Sequence, residues 1–496
     1  MSLSVRTLRG AAWQAASTST QAVLQLAVLA VLARCLSPRD FGLVAVSQIF
    51  TGILQLAAEG GFWGAVVQRP VLTRGHLRAA YAVGALFPLS LVAAFWVAAP
   101  LFARFFHAGE LVLLLRVTSL YALFSGWGLV SRARLERDLD FRRLAFLDTA
   151  SFLGYAAVAL AGCLLGWGVW ALAAAILARG ALSTVGVSVA RPPVLGRGFS
   201  RAELREILGF GAGLTLGRAL DYFAWQADYL VVGRLLGVSA LGFYQRGFEL
   251  MELPGRYLGK VAGKVLFASM AQLQTRRERL ALAFVRTLEI SSLLVLPATA
   301  WMSLVAPEIV RVMYGDRWLP VVPVLQVLLL TPLFRTSGRV AEALARATGA
   351  VYRDAWRKGV AVATVCAGAW AGQRWGIVGV AWGAGLATIC NSLLLLQLAL
   401  SRAGVGWRVV GRSYLPALGV TLAGVAAAAP VVLALRRAGS PPLAVMAAAA
   451  AAGLLAAALC VRLRPSLLGA GGPWLSERAA AAFPAWGRVV AAARAR

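Results

Sequence analysis

Charge is scarce in this chain: Asp, Glu, Lys and Arg together make up 14% of its 496 residues. There are two histidines, His76 and His107, and five cysteines that lie far apart with no paired spacing. Metal sites need clustered ligands, so the sequence predicts no metal. Cys35, Cys163, Cys366, Cys390 and Cys460 read as small apolar packing residues, with no disulfide expected. Lysine is nearly missing, since Lys260, Lys264 and Lys358 are the only ones among 49 basic residues. Long polar segments are missing as well. The longest loops, such as Arg191–Glu206 and Lys260–Ala283, leave no room for a separate soluble domain, which argues against a water-facing catalytic domain.

Apolar residues, by contrast, fill 60% of the chain, and the mean hydropathy is +0.75. A soluble protein of this length could not hide so much apolar surface from water, so the bilayer must be the solvent. The apolar runs are continuous and lack period-2 alternation, which predicts helices rather than a barrel. Spans are expected near 11–33, 41–58, 79–99, 111–130, 145–164, 168–189, 209–232, 240–259, 284–305, 319–338, 359–372, 376–400, 413–435 and 442–461. The first follows Arg6 and Arg9 and is long enough to cross a bilayer, unlike a signal peptide, so it is expected to be retained. The fold class is therefore all-α integral membrane, with about fourteen transmembrane helices.

The net charge of +29 would suggest a nucleic-acid partner in a soluble protein. With the N-terminus inside, however, 33 basic residues fall in cytoplasmic segments and 9 in the opposite loops. This is the positive-inside signature; it explains the charge without nucleic acid and places both termini in the cytoplasm. The basic tail, 462–496, with Trp474 and Trp486, is expected to lie on anionic lipid head groups.

Comparing the halves exposes an internal repeat. Arg34-Cys-Leu36 with Gly42 matches Arg234-Leu-Leu236 with Gly242, and Pro100-Leu-Phe-Ala-Arg104 matches Pro307-Glu-Ile-Val-Arg311. Leu120-Tyr-Ala-Leu-Phe124 matches Leu330-Thr-Pro-Leu-Phe334, and Trp167-Gly168 matches Trp375-Gly376. Four matches in one order predict two six-helix lobes, 1–190 and 207–402, joined by a cytoplasmic linker over 191–206 that carries Pro192, Pro193 and Gly198. Two additional helices follow over 403–461. Six is even, so the lobes share one orientation, as in parallel transporter repeats, with a substrate cleft expected between them.

Several stretches resemble a known family: Gly10-Ala-Ala-Trp13, Val31-Leu-Ala-Arg34 with Phe41-Gly-Leu43, and Val67-Gln-Arg69. Others are Arg132-Ala-Arg-Leu-Glu-Arg-Asp-Leu-Asp-Phe141, Val265-Leu-Phe267 with Gln272-Leu-Gln274, and Tyr314-Gly-Asp-Arg-Trp318 followed by Pro323-Val-Leu-Gln326. Together they resemble the Wzx-type bacterial polysaccharide exporters, in the lipopolysaccharide and colanic-acid subgroup. That subgroup belongs to the multidrug/oligosaccharidyl-lipid/polysaccharide exporter superfamily. The resemblance covers about the first 400 residues. It implies a two-lobed flippase in the bacterial inner membrane that carries undecaprenyl-diphosphate-linked oligosaccharide for exopolysaccharide or lipopolysaccharide assembly. It further implies coupling to H⁺ or Na⁺ with no other cofactor, and partnership with membrane lipids, a polysaccharide polymerase and glycosyltransferases. The family's phenylalanine-proline is Phe267-Ala268 here, which leaves a helix break at that point open.

Ionisable side chains inside a span are costly and usually face a cavity or a partner. Arg218, Asp221 and Asp228 share one face of the seventh span, at i, i+3 and i+10. Arg218 could meet the diphosphate and an Asp could carry the coupling ion; the alternative is a buried ion pair. In the eighth span, Arg246 with Glu249 and Glu252 with Arg256 form i, i+3 and i, i+4 pairs, and either mutual neutralisation or a cavity role would suit them. Arg116 and Arg179 stand alone among apolar neighbours, and Arg179 is a candidate to face the cavity. Gln14, Ser17, Thr18, Gln21 and Gln25 form a polar stripe on the first span, suited to sugars or to interhelical packing. Substrate binding is thus expected of Arg218, Arg179, Arg246, Gln14, Gln21 and Gln25, and ion coupling of Asp221, Asp228 and Glu249. Arg286, Glu289, Arg335, Arg339 and Glu342 are expected to snorkel at cytoplasmic helix ends. Asp138-Leu-Asp140 has the spacing of a glycosyltransferase metal motif, but it sits among arginines and reads as ion pairing.

No enzymatic activity is expected. The rival readings are a multidrug exporter of the same superfamily and a membrane-embedded polysaccharide polymerase or ligase. The first calls for an acid-rich, aromatic cavity and the second for a long outer loop.

Overall fold

The computed structural model describes residues 3–59, 62–69, 71–194, 196, 198, 200–272, 277–348 and 351–463. Helices account for nearly all of them, and no strand occurs among the described residues. The chain opens with α1 (Leu3–Cys35), α2 (Pro38–Glu59), the short α3 (Phe62–Gln68) and α4 (Arg74–Phe105). The broken pair α5 (Leu111–Ser119) and α6 (Tyr121–Arg137) precedes α7 (Phe141–Leu164) and α8 (Val169–Ala190). Two long helices follow, α9 (Arg201–Leu235) and α10 (Val238–Gln272), then α11 (Arg277–Leu304) and the short α12 (Ala306–Met313). A second broken pair, α13 (Val321–Leu328) and α14 (Pro332–Ala347), leads to α15 (Val351–Gly372) and α16 (Gly376–Ala403). The last helices are α17 (Trp407–Arg437) and α18 (Pro442–Leu463).

Among the described residues, ten stretches are long and apolar enough to cross a membrane, or eleven if the bent pair α13–α14 is one span. Residues Gly359–Ala403, which hold most of α15 and all of α16, count as one such stretch. The expected number of about fourteen is not reached by this measure. α9 and α10, the carriers of the charged residues singled out above, are not among the ten. The side chains over much of both helices lie outside the described residues. α10 runs unbroken past Phe267-Ala268, so the helix break left open by the resemblance does not occur there.

The chain divides into two compact units. The first comprises Met1–Gln245 and Met313–Gly315, and the second Arg246–Val312 and Asp316–Arg496. This division falls inside α10, and α9 packs on α2, α3 and α4 of the first unit. In that unit α7 lies against α1 and α8, and α6 against α2, α3, α4 and α8. Tyr81, Leu129, Val130 and Ala133 pack with Val66 at one end of it. In the second unit α11 packs on α14 and α17, and α16 on α13, α14 and α15, around Phe284, Leu344 and Ala399.

Two of the repeated sequences recur as structure. Gly168 opens α8 with φ 55° and ψ −132°, and Gly376 opens α16 with φ 66° and ψ −154°, a conformation that only glycine adopts without strain. The matched Leu120 and Leu330 segments both lie at breaks, between α5 and α6 and between α13 and α14, the latter bent by 43°.

One expectation fails. Cys35, at the end of α1, and Cys163, at the end of α7, are joined by a disulfide across a Cα–Cα distance of 6.0 Å. The sequence separation of 128 residues hid the pairing, since only the packing of α1 along α7 brings the two helix ends together.

Candidate functional site

Polar groups in the first unit gather along one face of α2. Gln48, Gly52, Gln55 and Glu59 recur at i, i+4, i+7 and i+11, a single helical stripe. Between Phe41 and Ile49 every residue of α2 is buried except Gln48. Glu59 accepts hydrogen bonds from the Gln55 amide at 3.0 Å and from the Ser125 hydroxyl at 3.4 Å. No basic side chain among the described residues pairs with it. Gly52 leaves room for Tyr222 of α9, whose hydroxyl donates to the main-chain carbonyls of Gln48 and Ile49 at 3.1 and 3.0 Å.

Arg179 lies midway along α8, half-buried, with its guanidinium carbon 5.6 Å from the centre of the Phe152 ring. It makes no hydrogen bond or ion pair with any described residue. The next residue, Gly180, packs on Tyr121 and Phe124 of α6. Arg132 contrasts with it, because Asp148 holds that guanidinium at both ends, at 2.7 and 2.8 Å, and Glu136 adds a contact at 3.5 Å. An arginine held in this way has no charge to spare; Arg179 does.

The other sequence candidates are placed as follows. Arg218 and Asp221 lie in α9 but outside the residues whose side chains are described. Asp228, 4% exposed, accepts from the Tyr244 hydroxyl at 2.9 Å and from the Tyr229 amide at 3.0 Å. Arg246, 6% exposed, is paired with Glu249 at 2.8 and 2.9 Å, so two candidates given different roles neutralise each other. On α1, the Gln21 amide donates to Ser17 at 2.9 Å, and Ser17 in turn bonds Ala145 and Thr149 of α7. That part of the stripe is interhelical contact. Gln14 is half-buried and Gln25 exposed. Arg116 donates to the Trp96 carbonyl at 3.2 Å. Arg335 stacks over Phe248 at 4.8 Å and reaches Thr331 and Thr388. Asp138 accepts two bonds from Arg191, and Asp140 caps α7 through the Arg143 amide, so the acidic pair is structural. Sequence reasoning passed over Gln48, Gln55 and Glu59. Their heptad-like spacing in an apolar span was the available signal.

The start of α9 is fastened to the α3–α4 corner. Glu203 caps its own helix through Ser200 and accepts from the Thr73 hydroxyl at 2.8 Å. Glu206 bonds Arg69, and His76 at 3.1 Å. The Ser200 amide and the Thr73 hydroxyl hold the Glu203 carboxyl below its usual range. Arg69, with His76, does the same for Glu206.

In the second unit an apolar groove of about 430 Å³ runs among α11, α17 and α18, lined by Leu293, Pro297, Val425, Gly453 and Leu454 with Trp301. Near one end of α17, Arg436 binds the buried Glu308 through two bonds of 2.7 and 2.8 Å.

Residues 31–323 match the family described as polysaccharide biosynthesis proteins, more than half of the chain. The chain belongs to that family. The lipopolysaccharide biosynthesis protein WzxC of Escherichia coli K12 is 26% identical over 411 residues, covering 79% of this chain and 81% of WzxC. The teichuronic acid biosynthesis protein TuaB of Bacillus subtilis 168 is 23% identical over 403 residues, covering 79% of this chain and 82% of TuaB. Among solved structures, the lipid II flippase MurJ in an inward closed conformation aligns with a TM-score of 0.71 at 14% identity, over 90% of this chain and 98% of MurJ. That likeness speaks to fold alone. The resemblance to the polysaccharide exporters is thus borne out, and the chain is a multi-pass membrane protein of polysaccharide biosynthesis with a transporter fold.

Proposed function

We propose that this protein flips undecaprenyl-diphosphate-linked oligosaccharide repeat units from the cytoplasmic to the outer leaflet of the bacterial inner membrane, by alternating access between two six-helix lobes. It does so as a transporter and not as an enzyme, with fourteen spans and both termini in the cytoplasm. The observation that carries this reading is Arg179, a mid-span guanidinium with no described hydrogen-bond or ion-pair partner. A diphosphate cannot enter hydrocarbon bare, and a cation in a low-dielectric setting offsets its lost hydration. The cation must be unspent, which favours Arg179 over Arg246. Arg218 is a second cation for the same head group. The polyprenyl chain needs only apolar surface, which lipid and the groove beside Trp301 and Leu454 both offer.

Asp228, Asp221 and Glu249 are the carboxylates proposed to carry a coupling H⁺ or Na⁺, and Glu59, for which no described basic side chain is a partner, joins them. The ligand's differential affinity for the two states, or the coupled ion, supplies the bias. The donors and users of the substrate would be glycosyltransferases and a polysaccharide polymerase.

The test is genetic. A strain lacking the gene should accumulate lipid-linked oligosaccharide in the cytoplasmic leaflet, and the wild-type gene should relieve this. Arg179→Ala should not relieve it when present in the membrane at wild-type level. Full relief by that variant would remove Arg179 from the site.

A further inference from the structure

Gln48 is an exposed amide at the middle of a helix whose neighbouring positions, from Phe41 to Ile49, are all buried. It lies ten residues from the start of α2, about 15 Å along the axis. An amide at that depth is costly against lipid tails. Its own hydrogen bonds are half made. The side-chain oxygen accepts from the Gln245 amide at 3.4 Å, whereas the NH₂ group has no acceptor among the described residues. Gln226 of α9 shows the complementary deficit. Its NH₂ group donates to the Tyr222 hydroxyl at 3.2 Å, and its buried carbonyl oxygen has no donor among the described residues. Tyr222 ties the two glutamines together, because the hydroxyl that receives the Gln226 amide is itself anchored on the main-chain carbonyls of Gln48 and Ile49.

The Gln226 oxygen is a buried polar atom without a described partner, which is expensive and calls for an explanation. One unfilled donor and one unfilled acceptor, with no formal charge on Gln48, Gln226, Gln245 or Tyr222, match a group that both donates and accepts. A hydroxyl is such a group; a diphosphate only accepts. From this pattern we infer that Gln48 and Gln226 form a sugar-reading subsite, which hydrogen-bonds hydroxyls of the lipid-linked oligosaccharide. The stripe on α2 then runs from Glu59 to this uncharged end over eleven residues, about 16 Å. That offset separates the part of the path that reads sugar from the ionic groups nearer Glu59. The inference rests on the flippase reading above and deepens it.

Purified protein in lipid nanodiscs tests it, with dissociation constants taken by native mass spectrometry for two probes. One is the undecaprenyl-diphosphate oligosaccharide extracted from native membranes; the other is undecaprenyl diphosphate without sugar. The wild type should bind the sugar-bearing lipid about ten-fold or more tightly than the bare one, as expected for one to two well-made hydrogen bonds. Gln48→Met and Gln226→Met keep side-chain length and remove the amide, so each should cut that ratio several-fold while leaving affinity for bare undecaprenyl diphosphate unchanged. The bare-lipid affinity also reports folding. If the half-buried Gln226→Met variant loses it, the exposed Gln48→Met variant carries the test. A wild-type ratio of one, or ratios unaltered in both variants, would overturn the subsite. Failure of the wild type to bind bare undecaprenyl diphosphate, or Arg179→Ala binding it as tightly as wild type, would instead overturn the flippase reading.

Discussion

Gly42 and Gly242 meet backbone to backbone. A Cβ on either would fall within the main-chain carbonyl of Val238 or Pro38, and within 3.2 or 3.1 Å of the other glycine's amide nitrogen. These are the two glycines that the internal repeat aligns, so equivalent positions of the repeat touch each other. Only glycine permits two helix starts to approach so closely.

Alanine at either position should therefore destabilise the protein by about 1–3 kcal/mol, the range for overpacking, read as a lower Tm in detergent. The double variant should lose less than the sum of the singles, because one displacement serves both side chains. Wild-type Tm for Gly42→Ala would contradict the close approach.

The Glu308–Arg436 pair gives a prediction in pH. Burial of Glu308 would raise its carboxyl, but the two bonds from Arg436 outweigh this and hold it below the usual range. A carboxyl depressed in the folded state stabilises fully above its unfolded pKa, about 4.3, and the contribution is lost as pH falls through the lower folded value. Arg436, a guanidinium, stays charged throughout. Tm should thus show no loss from this pair between pH 8 and 5 and should fall below about pH 4. Glu308→Gln should flatten that acid limb and cost about 1–3 kcal/mol at neutral pH, between exposed and buried pairs.

Much of this was legible beforehand, for physical reasons. Continuous apolar runs can only be helices in lipid, so α2, α4, α7 and α17 could be read directly. The repeat could be read wherever a backbone demand fixes the residue, as at Gly168 and Gly376. Partnership was not legible. Nothing in spacing distinguishes Arg179, which has no ion-pair partner among the described residues, from Arg132, which Asp148 clasps from sixteen residues away. Arg246 and Glu249 were recognisable as an i, i+3 pair, but whether they faced each other or a cavity depended on the packing around them. Gln48 was hidden for another reason, since a lone amide among apolar residues looks like tolerated noise until its neighbours are seen to be buried.

The Cys35–Cys163 disulfide fixes the far ends of α1 and α7. Peptide mapping without reductant should recover the two cysteines as one linked species, while Cys366, Cys390 and Cys460 react with alkylating agents. Cys35→Ser should lower stability by about 2–4 kcal/mol, the usual range for a closed loop. Alkylation of Cys35 and Cys163 without prior reduction would contradict the bond.

The Arg179 charge is the centre of the functional account, and its most direct test is flipping in a purified system. Lipid-linked oligosaccharide would be placed in the inner leaflet of proteoliposomes and its arrival outside followed with an impermeant sugar-binding lectin. The account predicts transfer by the wild type, a fall of about ten- to a hundred-fold in Arg179→Ala from loss of one charge-assisted contact, and partial recovery in Arg179→Lys. Wild-type rates in Arg179→Ala would contradict it.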